Sequence, residues 1–424
     1  MENKSNINEN HSYFYSLRLE GINCFRDYQS LKLCDDNGKH YPWTIILGDN
    51  GTGKTTLLRI LDRMQPSLLK ESNLNYYPLI WTYSNFFKEN KEQIIEIQLD
   101  LEKIEDRKFY KLDTVSNEMM GNTTTNGNNK FPFLLSYGAS RRINKTPKLS
   151  KSEHENLNLT TLLDENLNLI NVEEWLLQKY TISLISEKKT KNKFEKEYNL
   201  VKNLLINFLP DVNDIRVKLV NEKNSELLVE VETYLGWVNL RDLSFGYQTI
   251  TALLVDIASK MMEKYPESEN SLAEPVVILI DEIDLHLHPK WQRTMIEMLS
   301  KHFPKAQFIA TAHSPLIVQS AQDNNANIVV CRKEGDKVVI DNNPIEVKGW
   351  RIDQILTSDL FETDSSRSVE TQKNIDNYIA LKGKKELSNS EKLEYDNLIP
   401  KMKTAFSETL LDEKLLKFSE KYLK

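Results

Sequence analysis

The chain has 424 residues, room for two or three domains or one large elaborated domain with an ample core. Its 55 basic and 62 acidic residues leave a net charge of −7, which excludes uniform coating of nucleic acid and leaves only local basic patches for such contact. Three cysteines, Cys24, Cys34 and Cys331, show no paired metal spacing and suit free thiols in a reducing compartment.

Residues 1–10 are polar and lack the apolar centre of a signal peptide. No apolar run approaches the ~18 residues of a membrane span. A soluble, cytoplasmic protein with no membrane partner is expected. Residues 13–19 and 29–33 alternate like hairpin strands, with Phe25 and Arg26 at the tip. Asp36, Asn37 and Gly38 predict a turn.

The apolar run from Trp43 to Leu47 predicts a strand, and the pattern from Leu57 to Leu61 predicts a helix. Between them lies Gly48-Asp49-Asn50-Gly51-Thr52-Gly53-Lys54-Thr55-Thr56, which is G-x-x-x-x-G-K-T in the strand–loop–helix setting the motif requires. The whole chain holds only 13 glycines, so three within six positions mark a built turn. Glycines let the backbone curl with its N–H groups inward, and the helix start adds a positive end. Candidate nucleotide-binding residues are therefore Gly48, Asn50, Gly51, Gly53, Lys54, Thr55 and Thr56. Lys54 reaches for β- and γ-phosphates, and the Thr55 hydroxyl suits Mg2+.

Pro66 is expected to stop the helix. From Tyr76 to Leu112 strand-like segments alternate with charged turns; 116–130 reads as a loop, and 131–139 as a buried strand. Residues 141–151 carry five basic side chains and no acid. This is the densest local positive charge, a candidate nucleic-acid or partner contact beside the plainer reading of a solvated loop. A second basic cluster, 188–193, falls in a helical region from Val172 to Phe208 and reads as an exposed face. Residues 215–220 and 227–231 predict a hairpin.

Leu243-Ser244-Phe245-Gly246-Tyr247-Gln248 precedes a helix whose apolar residues Ile250, Leu253, Leu254, Ile257 and Met261 are three and four apart. A Ser-x-Gly at a helix start offers a hydroxyl and a backbone N–H to an anion, though alone it is also a common cap. The run from Val276 to Ile280 ends in Asp281 and Glu282, acids delivered at the C-terminal end of a buried strand. Asp281 is placed to hold Mg2+ and Glu282 to orient or deprotonate a water. Asp284 follows, and then His286 and His288, which with Asp281 offer the reading of a metal cluster but have no third or fourth ligand at transition-metal spacing. A strand from Gln307 ends in His313, whose neutral imidazole suits a hydrogen bond to a γ-phosphate.

In this order the motifs resemble those of ABC-type ATPases, in particular the soluble SMC/RecF/RecN-like branch. The resemblance implies an α/β ABC-ATPase head: a mixed sheet with the phosphate loop, an antiparallel β subdomain, a short helical insert and a helical tail. It implies ATP and Mg2+ as cofactors and a two-fold dimer, with Ser244 and Gly246 acting in trans on ATP held by residues 48–56 of the other subunit. It casts Glu282 as catalytic base, Asp284 as the loop residue crossing the dimer, His313 as the switch and Lys54 as the phosphate cation. Phe245 and Tyr247 stand where the commonest signature has Gly and Gln. Residues 136–141 are the nearest equivalent of the family's glutamine loop. Roughly 35 helical residues before Leu243, at ~1.5 Å each, are too few for a long coiled-coil arm.

The run from Ile280 to Gln292 and the tail from Trp350 to Phe361 are similar to PtuA, the ATPase subunit family of Septu-type antiphage systems. That similarity implies a regulatory ATPase with a separate HNH nuclease partner of the PtuB type, and slow turnover is expected because a sensor uses ATP occupancy as its state variable. No histidine follows His313, so the tail holds no His-dependent nuclease centre. Ser388 and Glu391 form a capping box for a helix to about Ile399, with a second helix from Thr404 to Tyr422. The expected organisation is an N-terminal part of the ATPase lobe (1–75), a β subdomain with the helical insert (76–242), the signature-to-histidine part of the lobe (243–345) and a helical partner-binding tail (346–424). A RecF-like repair ATPase without nuclease, and a transporter's energising subunit, are the competing readings.

Overall fold

The computed structural model describes residues 12–63, 94–100, 108–113, 118–121, 132–143, 161–221, 226–361, 363, 365–384 and 386–406. The polar start, Pro66, the loop expected at 116–130 apart from four strand residues, positions 144–151 of the basic run and the tail beyond 406 lie outside the described residues. The chain forms two compact units, Met1–Trp350 and Arg351–Lys424.

In the first unit, β1 (Tyr13–Glu20) and β2 (Gln29–Lys32) pair antiparallel as their alternation predicts, with Phe14, Leu17, Leu19 and Leu31 buried. β3 (Trp43–Gly48) leads through the phosphate loop into α1 (Lys54–Arg63). Strands β4 (Ile94–Asp100), β5 (Lys108–Asp113) and β6 (Glu118–Gly121) extend the first pair into a five-stranded antiparallel sheet, β2-β1-β4-β5-β6. β7 (Leu134–Tyr137) is followed by two short parallel partners, β8 (Arg142–Ile143) and β9 (Asn168–Leu169).

The helical region divides into α2 (Val172–Ile185) and α3 (Lys188–Phe208), because Ser186 and Glu187 adopt extended backbone between them. With 21 residues in the longer helix, about 30 Å, this is a hairpin and not an arm. Lys188, Lys191 and Lys193 are exposed on α3. β10 (Asp214–Asn221), β11 (Glu226–Thr233) and β12 (Gly236–Asn239) make an antiparallel meander, and α4 (Phe245–Lys264) buries the face predicted for it. The unit continues with β13 (Val276–Ile280), α5 (Pro289–His302), β14 (Ala306–Thr311), α6 (Pro315–Asp323), β15 (Asn327–Glu334) and β16 (Lys337–Asp341).

The core is a six-stranded sheet ordered β16-β15-β3-β14-β13-β7, parallel except for β16. Every residue of β7, β13 and β14 is buried, which is why these strands read as near-continuous apolar runs. Ser136, Gln307 and Thr311 are the polar exceptions, and Gln307 joins two sheets. Its side-chain amide donates to the Phe14 carbonyl at 2.7 Å and accepts the Phe14 N–H at 2.8 Å, joining β14 to β1 as a strand neighbour would. Parallel register brings the C-terminal ends of β3, β14 and β13 to one edge, where an α/β sheet places its site. This is the mixed α/β organisation expected, with a helical hairpin in place of a long arm.

The second unit contains α7 (Ile352–Leu356), α8 (Val369–Lys382) and α9 (Asn389–Phe406). The capping box is present: the Ser388 N–H donates to Glu391 Oε2 at 2.8 Å, and the Glu391 N–H to Ser388 Oγ at 3.3 Å. The helix does not stop near Ile399 as expected but runs through Pro400. A proline's fixed φ is compatible with a helix, and the loss is one donor and some crowding against the preceding turn. Tyr378 and Tyr395 stack at 5.0 Å between α8 and α9. Among the described residues no helix is long and apolar enough to cross a membrane.

Candidate nucleotide-binding and hydrolysis site

The phosphate loop is a strained backbone made affordable by glycine: Gly48, Gly51 and Gly53 have φ of 141°, 80° and 84°. At Gly53 space forbids a side chain as well, since a Cβ there would lie 2.6 Å from Cys24 Sγ and 2.8 Å from the Phe25 ring. Phe25 is therefore not a hairpin tip in solvent. It is fully buried beneath the loop, while Arg26 beside it is exposed and pairs with Asp336. Lys54 folds its ammonium back to donate to the carbonyls of Gly48 and Asp49, both at 2.8 Å. Burial lowers its pKa, opposed by the nearby Cys331, Asp281, Glu282 and Asp49.

The acids arrive from β13. Asp281 accepts the Thr55 hydroxyl at 2.9 Å on one oxygen and the Thr311 hydroxyl at 2.6 Å on the other. Thr311, the last residue of β14, also accepts the Glu282 N–H at 2.7 Å, so a single hydroxyl fixes both acids. Glu282 has a φ of 49°, left-handed and unusual for a residue with a side chain. Asp284 receives the His313 backbone N–H on both oxygens, at 3.1 and 3.3 Å, which ties the loop after the acids to the histidine loop within one chain. His313 itself is exposed.

Gln292 on α5 reinforces that junction. Its amide nitrogen donates to the carbonyls of Asp284 (3.3 Å) and Leu287 (3.0 Å), and its oxygen accepts the Ser314 hydroxyl at 2.6 Å. Arg141 reaches the acids from the other side and donates to the backbone carbonyls of Asp281 and Glu282, both at 2.7 Å. Neither Thr311 nor Gln292 stood out as a site residue in the sequence, and Arg141 stood out only as the end of the stretch 136–141 and the start of the basic run. Thr311 reads as strand filler, and Arg141 as the first residue of a surface basic run. Because Arg141 is buried, it is unavailable to nucleic acid; Arg142 is exposed.

Thus Lys54, Thr55, Asp281, Glu282, Asp284 and His313 converge at one sheet edge. Ser244 and Gly246 stand apart: no hydrogen bond joins them to residues 48–56 among the described residues. Ser244 is the exposed N-cap of α4, and its hydroxyl makes no capping bond. Gln248, the sixth residue of that motif, braces the helix start by donating its amide to the carbonyls of Arg241 and Leu243 at 2.8 Å.

Residues 44–319 match the family model described as AAA domain, putative AbiEii toxin, Type IV TA system. The chain belongs to this family. The match runs from β3 to α6 and so takes in the phosphate loop, both acids and His313. The chain is also similar to a Septu protein PtuA of Bacillus mycoides (strain KBAB4), 29% identical over 332 residues, which span 76% of this chain and 41% of that protein. A second Septu protein PtuA, of Bacillus thuringiensis, is 25% identical over 369 residues, 83% of this chain and 85% of its own length. The Retron Vc95 probable ATPase of Vibrio cholerae serotype O1 biovar El Tor is 24% identical over 389 residues, 74% and 73% of the two chains. The chain thus spans less than half of the first of these relatives.

Proposed function

We propose that this protein is an ATP-binding and ATP-hydrolysing regulatory subunit of an antiphage defence complex, which works as a dimer and controls a separate HNH nuclease. One observation carries the hydrolytic reading. Thr55 Oγ1 and Asp281 Oδ2 meet at 2.9 Å at the foot of the phosphate loop, with Glu282 next in the chain. Two hard oxygens so placed fit Mg2+, which takes few protein ligands and keeps waters and phosphate oxygens for the rest. When bound, Mg2+ neutralises charge developing on the phosphates. Glu282 then orients and deprotonates the attacking water, Lys54 turns from the loop carbonyls to the phosphates, and His313 contacts the terminal phosphate. Residues 48–56 hold the nucleotide.

The exposed, uncapped Ser244 hydroxyl at the start of α4 supports a second role, completing the partner subunit's site across a two-fold interface. The likeness to two Septu PtuA proteins supports the nuclease partner, for which the helices of the second unit are the proposed dock. Occupancy of the site by ATP, more than its turnover, is the proposed signal, so hydrolysis well below ~10 per second is expected. The exposed part of the basic run beginning at Arg142 is the proposed nucleic-acid contact.

Co-purification from the native gene neighbourhood, with ATP turnover assayed for wild type and Glu282→Gln, tests the proposal. Recovery of an HNH protein, with ATP retained by the variant, is the expected result. Recovery of DNA and no nuclease would favour a RecF-like repair ATPase instead.

A further inference from the structure

Arg141 is only 2% exposed, and a guanidinium taken out of water at that depth demands partners. Its partners are not carboxylates. One terminal nitrogen bridges two consecutive backbone carbonyls, those of Asp281 and Glu282, at 2.7 Å each, and its Nε is buried without a partner. Burial lowers its pKa to about 10, with Asp284, Asp281 and Glu282 opposing, so it stays a cation near neutral pH.

The bridged carbonyls border the left-handed turn at Glu282, whose φ is 49°. Residues with a Cβ disfavour that conformation, so it persists only where surroundings impose it. The turn is closed by its own chain, where the Leu285 N–H donates to the Glu282 carbonyl at 3.0 Å, and by the Ile283 N–H donating to the Thr311 carbonyl at 2.9 Å, and it is held from three sides besides. The Asp281 N–H donates to the Tyr137 carbonyl at 2.8 Å, the Glu282 N–H to Thr311 Oγ1 at 2.7 Å, and Arg141 takes both carbonyls. Of these, Arg141 alone is a side chain acting on both peptides. Its charge also strengthens each bond over a neutral donor's.

We propose that Arg141 is a positioning residue, whose guanidinium locks the Asp281–Glu282 backbone in the turn that aims the Glu282 carboxylate for hydrolysis. The inference rests on the proposed ATPase reading and adds to it a residue that touches neither nucleotide nor metal. Its loss leaves nucleotide binding, which depends on residues 48–56, while hydrolysis fails.

The experiment measures steady-state ATP turnover, affinity for a fluorescent ATP analogue with Mg2+, and thermal melting in the full-length protein, for wild type, Arg141→Ala and Arg141→Met. Wild type without Mg2+-dependent hydrolysis would overturn the ATPase reading itself, and this inference with it. With an active wild type, Arg141→Ala is expected to lose about 100-fold in kcat, the scale of a small misplacement of a reacting group. Analogue affinity stays within about threefold of wild type, as expected where binding and aiming are separate. Millimolar guanidinium, far below denaturing concentrations, restores part of the Arg141→Ala rate, and methylammonium does not. If Arg141→Ala melts early, Arg141→Met carries the test, because it fills much of the arginine stem's space but has no N–H to give the two carbonyls. A folded methionine variant with wild-type kcat, or a fall in affinity equal to the fall in kcat without guanidinium rescue, would overturn the proposal.

Discussion

Gly246 lies beneath the carbonyl of His286: a Cβ built on this glycine would stand 2.7 Å from that oxygen. The start of α4 and the loop that follows Asp284 are thus in contact within one subunit, and the Phe245 ring meets the His286 ring edge-on at 4.9 Å. His286 itself has a φ of 63°, so neither backbone yields easily. A signature glycine proposed to face another subunit's nucleotide has a packing role at home as well. Gly246→Ala is expected to cost about 1–3 kcal/mol as an overpacking change. Denaturant unfolding of the nucleotide-free protein measures it, and wild-type stability would confine the glycine's role to the nucleotide.

Thr311 uses its hydroxyl in both directions, donating to Asp281 and accepting from Glu282. Valine fills the same volume and does neither. Thr311→Val should lose about 1–3 kcal/mol of stability from the unsatisfied N–H and carboxylate oxygen. Mg2+ titrations of nucleotide binding should shift to higher concentration, because Asp281 loses its orienting partner. A stable variant with an unchanged Mg2+ midpoint would refute the clasp.

Gln307 separates stability from function. Gln307→Leu leaves the Phe14 N–H and carbonyl without their 2.8 and 2.7 Å partners, a loss of about 1–3 kcal/mol for each orphaned group. The amide lies at the β1 side of β14, away from the strand end that bears Thr311, so nucleotide affinity should hold in the folded fraction. Urea unfolding beside analogue titration checks both halves.

Cys331 gives a pH dependence with a definite sign. Burial raises its thiol from 9.0 to about 12, although Lys54 pulls it down. Between those values the unfolded chain gives up a proton that the folded protein keeps, so the folded state binds more protons and stability falls as pH rises. Tyr198, raised by burial to about 12 from 10.0, adds in the upper part of that window. Comparing urea midpoints at pH 8 and 10, Cys331→Ala should lose less stability than wild type. Equal losses would show that the thiol ionises freely in the fold.

How much of this was legible in the sequence depends on how far apart the interacting residues lie. The phosphate loop, the strand ending in Asp281 and Glu282, and the helix after Ser244 each fit within about ten residues, where spacing and residue type express the backbone directly. The break between α2 and α3 and the continuity of α9 through Pro400 were less legible. A helix end is decided by a few dihedral angles, and propensity competes there with packing.

The sequence by itself therefore determined which residue types could cradle phosphate, hold Mg2+ and activate water, and that the strands bearing them would be buried. Tertiary structure decided which oxygens and nitrogens meet. Arg141 finds its carbonyls 140 and 141 residues away, and Gln307 bonds Phe14 across 293. Such contacts leave no periodicity along the chain. They exist because a parallel sheet brings distant strand ends to one edge, and because polar groups buried there must find partners in whatever part of the chain arrives beside them.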